Sequence, residues 1–161
     1  MAVKRTQADN WFSKCVRLRV NWICEYCGMN YEHDKGYVHC SHYVSRGIHS
    51  TRYHPQNAFC HCYSCHEKLG GGRWGGGNHA EFAHHYDEVF GPDTREFIRQ
   101  LSLQPFRKHK QLVLDIADYY RDIYNQMEEI RRSVDDSRIE FEFYDGSVEL
   151  NQFIEENGCC G

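Results

Sequence analysis

Nine cysteines and eleven histidines are the chemically informative excess in this 161-residue chain. Cys24-Glu-Tyr-Cys27 and Cys62-Tyr-Ser-Cys65 are two C-x-x-C pairs with 34 residues between them. Thiolates hold zinc strongly, and two short knuckles fix four ligands at small entropic cost. Four protein ligands leave no open coordination position, so zinc at Cys24, Cys27, Cys62 and Cys65 is expected to be structural. Cys60 and His61 adjoin the second pair and are alternative ligands. The opening stretch MAVKRTQADNWFSK lacks an apolar signal core. Metal binding is therefore expected ahead of disulfides, in a cytoplasmic protein.

Residues of another type surround the second pair. His42 follows a Tyr- and Val-rich run, Asn57 precedes Cys62 by five positions, and His66 follows Cys65 directly. In the order H…N…C-x-x-C-H-x-K, they resemble the zinc-stapled form of the HNH, or ββα-metal, nuclease motif. The stretch HCSHYVSRGIHSTRYHPQN, the second C-x-x-C, Gly77-Asn78, Tyr86 and Gly91 narrow the likeness. With WFSKCVRLRV ahead of the first pair, they resemble the NinG/Rap family of phage recombination proteins, over roughly residues 9–132.

That resemblance implies a structure-specific endonuclease that cuts branched intermediates such as Holliday junctions and D-loops. Phosphodiester hydrolysis needs a base for water, a divalent ion to neutralise developing charge, and a rigid frame. His42 is expected as the base, since an ordinary histidine pKa near 6.5 leaves it largely neutral. His66 is expected to bind a catalytic Mg²⁺ or Mn²⁺, and Asn57 to tie down the loop between them. Two positions depart from the pattern. Ser41 stands where many HNH enzymes carry a ligand, and NinG-like sequences often have Asn where this chain has His66. The NinG-like pattern places a polar residue three positions before the base, which makes His39 the second expected ligand. Regular strand alternation would put His39 and His42 on opposite faces unless a bulge intervened. A histidine from the 49–54 loop or a water are the alternatives. Arg46 and Arg52 are expected to contact DNA phosphates, a carboxylate pair being the alternative for either. Lys68 and Arg73 are weaker candidates, and Trp74 is able to stack on a base or to pin its loop to the core.

The elements that must position these groups suggest an α+β fold: a zinc-stapled ββα-metal core flanked by helices, with a small hairpin-like appendage. A helix is expected over 6–22, with Trp11, Cys15, Leu18 and Trp22 on one face, then a strand over 36–44. A second helix starts near Ser64 and stops at the glycines of GGGRWGGG. Helical pieces lie either side of Gly91-Pro92, and residues 108–133 carry a stripe of Leu112, Ile116, Tyr119, Ile123, Met127 and Ile130. RIEFEFYDGSVEL alternates like a hairpin turning at Asp145-Gly146. The corresponding divisions are a nuclease domain over 1–104, a long helix over 105–136 and an acidic segment over 137–161. His33, His54 and His109 are expected at the surface. No apolar run is long enough for a membrane span.

Residues 1–78 hold ten Lys and Arg against five Asp and Glu, whereas residues 79–161 hold nine against eighteen. Such asymmetry suits a protein that meets phosphate with one part only. The expected partners are branched or duplex DNA and a second copy of the chain, since symmetric junction cutting needs two sites. A recombination protein could join them. Two other readings compete: an HNH nuclease or nickase of unbranched DNA, and a non-catalytic zinc module that binds nucleic acid. Loss of function in His42→Ala, and preference for a junction over linear duplex, separate the three.

Overall fold

A computed structural model describes residues 3–70, 77–106, 109–133 and 137–144. Arg73, Trp74, the Asp145-Gly146 turn and the Cys159-Cys160 pair lie outside the described residues. The first helix, α1 (Gln7–Arg19), starts at Thr6, whose hydroxyl accepts from the Asp9 amide while the Asp9 carboxylate takes the Thr6 amide. This reciprocal capping box satisfies two donors that a helix start otherwise leaves open. Its far end is a Schellman motif: the Trp22 amide bonds Arg17 O at 2.9 Å and the Asn21 amide bonds Leu18 O at 3.0 Å. Asn21 and Trp22 are both left-handed, at φ 47 and 63 degrees.

Strands β1 (Val38–His42) and β2 (Ala58–Cys62) pair antiparallel in unbroken register, from Val38 opposite Cys62 to His42 opposite Ala58. Helix α2 (Tyr63–Gly70) follows β2 directly. Then come α3 (His79–Phe90), α4 (Pro92–Ser102) and the long α5 (Lys110–Ser133). Among the described residues the fold is thus mixed α+β, five helices with one two-stranded sheet. Gly91, at φ 86 degrees, turns the chain between α3 and α4, a conformation that favours glycine. No described helix is long and apolar enough to cross a membrane.

The two faces of the ribbon are buried differently. On one, Ala58 and Cys40 meet α1 and α5 in a core of Phe12, Val16, Leu18, Ile116, Tyr120 and Met127. On the other, Phe59 packs with Leu69 of α2 and with Phe82, Tyr86 and Ile98 of α3 and α4. The α5 face is turned slightly from the expected stripe: Tyr120 is fully buried, Tyr119 only partly, and Ile130 is 45% exposed. Because α1 and α5 share one core, the expected divisions at 104/105 and 136/137 run through common packing.

The C-terminal alternation has a different outcome from a hairpin over its described part. Ile139 is buried, and Phe141, Phe143 and Tyr144 pack on the α1–α5 core, but residues 137–144 form no strand. The Ile139 amide instead donates to Arg19 O at the end of α1. Alternation recorded one apolar and one polar side, and a helix end supplied the partner.

Candidate metal centre and histidine face

Cys24 and Cys27 lie in a tight loop closed by bonds from the Cys24 amide to Met29 O and from the Gly28 amide to Cys24 O. Gly28, at φ 73 degrees, makes the turn after the second ligand. Cys62 ends β2, and Cys65 sits in the first turn of α2. The four sulfurs all lie within 4.8 Å of one another, with Cys27 and Cys62 at 3.9 Å. A tetrahedral zinc with 2.3 Å bonds requires sulfur separations of about 3.8 Å. The donor set and its spacing fit a structural zinc. Burial raises the Cys24 thiol, whereas amide and thiol hydrogen bonds from Cys65 bring Cys62 down to about 7 against its own burial. A bound divalent cation would hold all four as thiolates. Cys60 and His61, the alternative ligands, stand outside this cluster.

Buried ion pairs secure the knuckle. Arg19, fully buried, donates to Pro55 O, Ala58 O and the Glu25 carboxylate, the last at 3.0 Å. Glu25 also takes the Cys60 amide at 2.6 Å and pairs with Arg138. One carboxylate thereby links α1, the first knuckle, β2 and the C-terminal segment. The sequence offers no pattern by which Arg19 and Glu25 could have been singled out.

The ribbon divides the expected catalytic residues. His39 and His66 come together on the α2 face, with rings 5.4 Å apart and within 19 degrees of parallel. Burial lowers both pKa values, so both rings are neutral near pH 7 and keep a lone pair for a metal. Ser41 Oγ is buried without a protein partner. A Cβ added to Gly70 would lie 3.5 Å from His66 Cδ2 and 3.8 Å from Ser41 Oγ, so the orphaned hydroxyl shares the space beside His66. Imidazole suits zinc, copper, iron and nickel best, with manganese lowest in the first-row order and magnesium a taker of oxygen ligands. Two imidazoles therefore do not by themselves favour the expected Mg²⁺. Behind them, His61 and His85 are buried with their Nε2 atoms 3.3 Å apart, one donating to the other.

His42 lies on the opposite face. The register has no bulge, and the ring rests 6.0 Å from Phe12 of α1. Its Nε2 is 3.0 Å from Arg52 O, the geometry of an N–H donated to that carbonyl, which would leave Nδ1 as acceptor. Burial lowers its pKa to about 4. Asn57, fully buried, accepts from the Val44 amide and donates to Val44 O and Thr51 O, closing the loop between the strands.

Among the described residues, the cations expected at phosphate all have protein partners. Arg52 is 1% exposed and forms a two-pronged pair with Asp9 at 2.8 and 2.7 Å, donating also to Lys4 O. It anchors the loop to the start of α1 and does not face solvent. Arg46 is half-buried, with one nitrogen on Val3 O. Lys68 is exposed but pairs with Glu81 at 2.6 Å and reaches the Tyr26 hydroxyl. His54 is buried rather than on the surface, because its Nδ1 accepts the Gln56 amide and its ring packs on Phe97 and Phe143.

Comparison of the chain with family models, with curated proteins and with solved structures finds no match.

Proposed function

We propose that this protein is a metal-dependent endonuclease that hydrolyses phosphodiesters in branched DNA, the activity that the resemblance to NinG/Rap proteins implies. The supporting observation is the ribbon-and-helix unit stapled by the four-cysteine cluster, which sets His39 and His66 side by side. A divalent ion held there would neutralise charge on the phosphate and lower the pKa of a bound water. The imidazole pair favours Mn²⁺ or a later transition ion over Mg²⁺. His39 and His66 present neutral nitrogens, and Asn57 fixes the loop that leads from β1 to β2. His42 is neutral and oriented through Nε2, so Nδ1 is the atom that would accept a proton on its face of the ribbon.

The two faces make the test specific. Labelled four-way junction, D-loop and linear duplex are incubated with protein in Mg²⁺ and in Mn²⁺, beside His42→Ala and His66→Ala of normal zinc content. Junction or D-loop cutting that is faster in Mn²⁺ and lost in His66→Ala is the expected result. Loss in His42→Ala as well makes that residue the base, whereas its survival places all the chemistry on the α2 face. Equal cutting of linear duplex removes the preference for branches. Cutting by none of the proteins, with junction binding intact, replaces the enzyme by a zinc-dependent DNA-binding module.

A further inference from the structure

Among the described residues, several cations on and around α1 and in the turn before β1 lack the carboxylate partners that many others in the chain have. In α4 and α5, Arg95, Arg99, Arg121 and Arg132 all pair with carboxylates. Arg5, Lys14, Arg17 and Lys35 form no ion pair among the described residues. Three of these four lie on aromatic rings. Lys14 Nζ is 4.0 Å from the centre of Trp11, while Arg17 and Lys35 share Trp22, at 5.1 and 4.8 Å. Glu32 and Asp34 lie in the same loop as Lys35, and neither pairs with it or with Arg17.

Two like charges on one ring repel, and a ring face attracts each of them only modestly. The arrangement is nevertheless built in. Trp22 is a bulky residue at positive φ, directly after a left-handed Asn21, a strained backbone that persists only when its surroundings enforce it. The Schellman bonds to Leu18 and Arg17 hold it so, and they place the Trp22 ring against Arg17, one turn back on α1. Lys35 approaches from the short turn Lys35–Tyr37, which leads straight into β1 and His39. Positive charge thus runs from α1 across Trp22 to the turn that enters β1, the strand that carries His39.

We infer that Arg17 and Lys35, carried on Trp22 and extended by Arg5 and Lys14, form a track for the phosphate backbone of a DNA arm leading to the His39–His66 pair. The inference rests on the nuclease reading for its ligand, and it supplies the phosphate contacts that Arg52, buried against Asp9, does not make. A backbone track carries no base-sequence information, so it suits recognition of where arms meet rather than of what they spell. The rival role for these cations is as counter-charge to the nearby thiolate cluster.

Binding, measured apart from cleavage, decides between them. Anisotropy titrations of a labelled four-way junction and a linear duplex are made across a salt series in EDTA-free buffer, using His66→Ala protein as parent. Adding Arg17→Gln and Lys35→Gln is expected to weaken both ligands by about tenfold or more at low salt. It should also reduce the slope of log K against log salt by about 2, one unit per lost phosphate contact. Lys35→Gln alone, at an exposed turn, should take about half of that slope change without threatening the fold. Arg121→Gln with Arg132→Gln should change neither quantity. An unchanged slope in the Arg17/Lys35 variant overturns the track. If its zinc is then also released more readily, the cations serve the thiolates. Intact binding by the parent, with no cutting by the His66-bearing protein, overturns the nuclease reading and leaves the track standing. Absence of DNA binding by the parent overturns both.

Discussion

Asn57 shows how much one buried amide can hold. Its three hydrogen bonds run to both polar groups of the Val44 backbone and to Thr51 O, so the two ends of a loop depend on one side chain. Asn57→Ala leaves buried backbone groups unpaired and should cost about 2–4 kcal/mol in urea unfolding. Asn57→Asp, which keeps the acceptor but loses both donors, should rescue little. His54 gives a prediction in pH. Burial lowers its pKa to about 4, and its Nδ1 must stay unprotonated to accept the Gln56 amide. The unfolded histidine titrates near 6.5, so the unfolded chain binds more protons between these values. Its stabilisation is full above pH 6.5 and is lost as pH falls towards 4, by up to about 1.4 kcal/mol per pH unit. His54→Asn keeps a side-chain acceptor that does not titrate and should flatten that part of the stability–pH curve. Unchanged curvature in urea titrations from pH 4.5 to 7.5 would contradict this assignment.

Elements meet here through charge as well as apolar contact. The Arg52–Asp9 pair joins the loop after β1 to the first turn of α1, and the same Asp9 completes the helix cap. Arg52→Ala should therefore destabilise by about 3–5 kcal/mol, because it strands a buried carboxylate. Arg52→Lys should recover only part of this, since lysine lacks the planar fork. If Arg52 instead gripped phosphate, these variants would lose DNA affinity at full stability. Helix periods and their breakers were largely legible in the sequence: α3, α4 and α5 fall where apolar spacing and Gly91-Pro92 put them. Helix α1 instead stops at Arg19, short of the expected 22, and leaves Trp22 in a left-handed turn. The opposite placement of His39 and His42 was legible too, since it follows from strand alternation alone. The fates of Arg52 and of the 139–144 segment were not. A single charge does not announce whether its partner is phosphate or a carboxylate 43 positions away. Alternation likewise records which side is buried and leaves the partner open.

At the scale of the molecule, the four-cysteine cluster and the α1–α5 core are distinct sources of order. The thiols pack with Val20, Trp22 and Val38, while the helical core is built from residues that include none of the four ligands. Chelation should therefore release about one zinc per chain in a colorimetric assay and loosen the knuckles and ribbon. The far-UV helical signal should fall much less. Collapse of helicity in step with metal release would show that the two parts fold as one.

The carbonyls at the end of α1 have a further consequence for the order of events during synthesis. Leu18 O takes a bond from Arg131, 113 residues later, and Arg19 O takes bonds from Arg131 and Ile139. A ribosome adding about 5–20 residues per second needs on the order of ten seconds to cover that distance. Throughout that interval α1 lacks the α5 side of its apolar cover, and Arg19 O lacks its bonds from Arg131 and Ile139. Closure of this core thus waits until residues 131–139 have been made, and a chaperone that shields nascent apolar helices would have its main opportunity on residues 8–18.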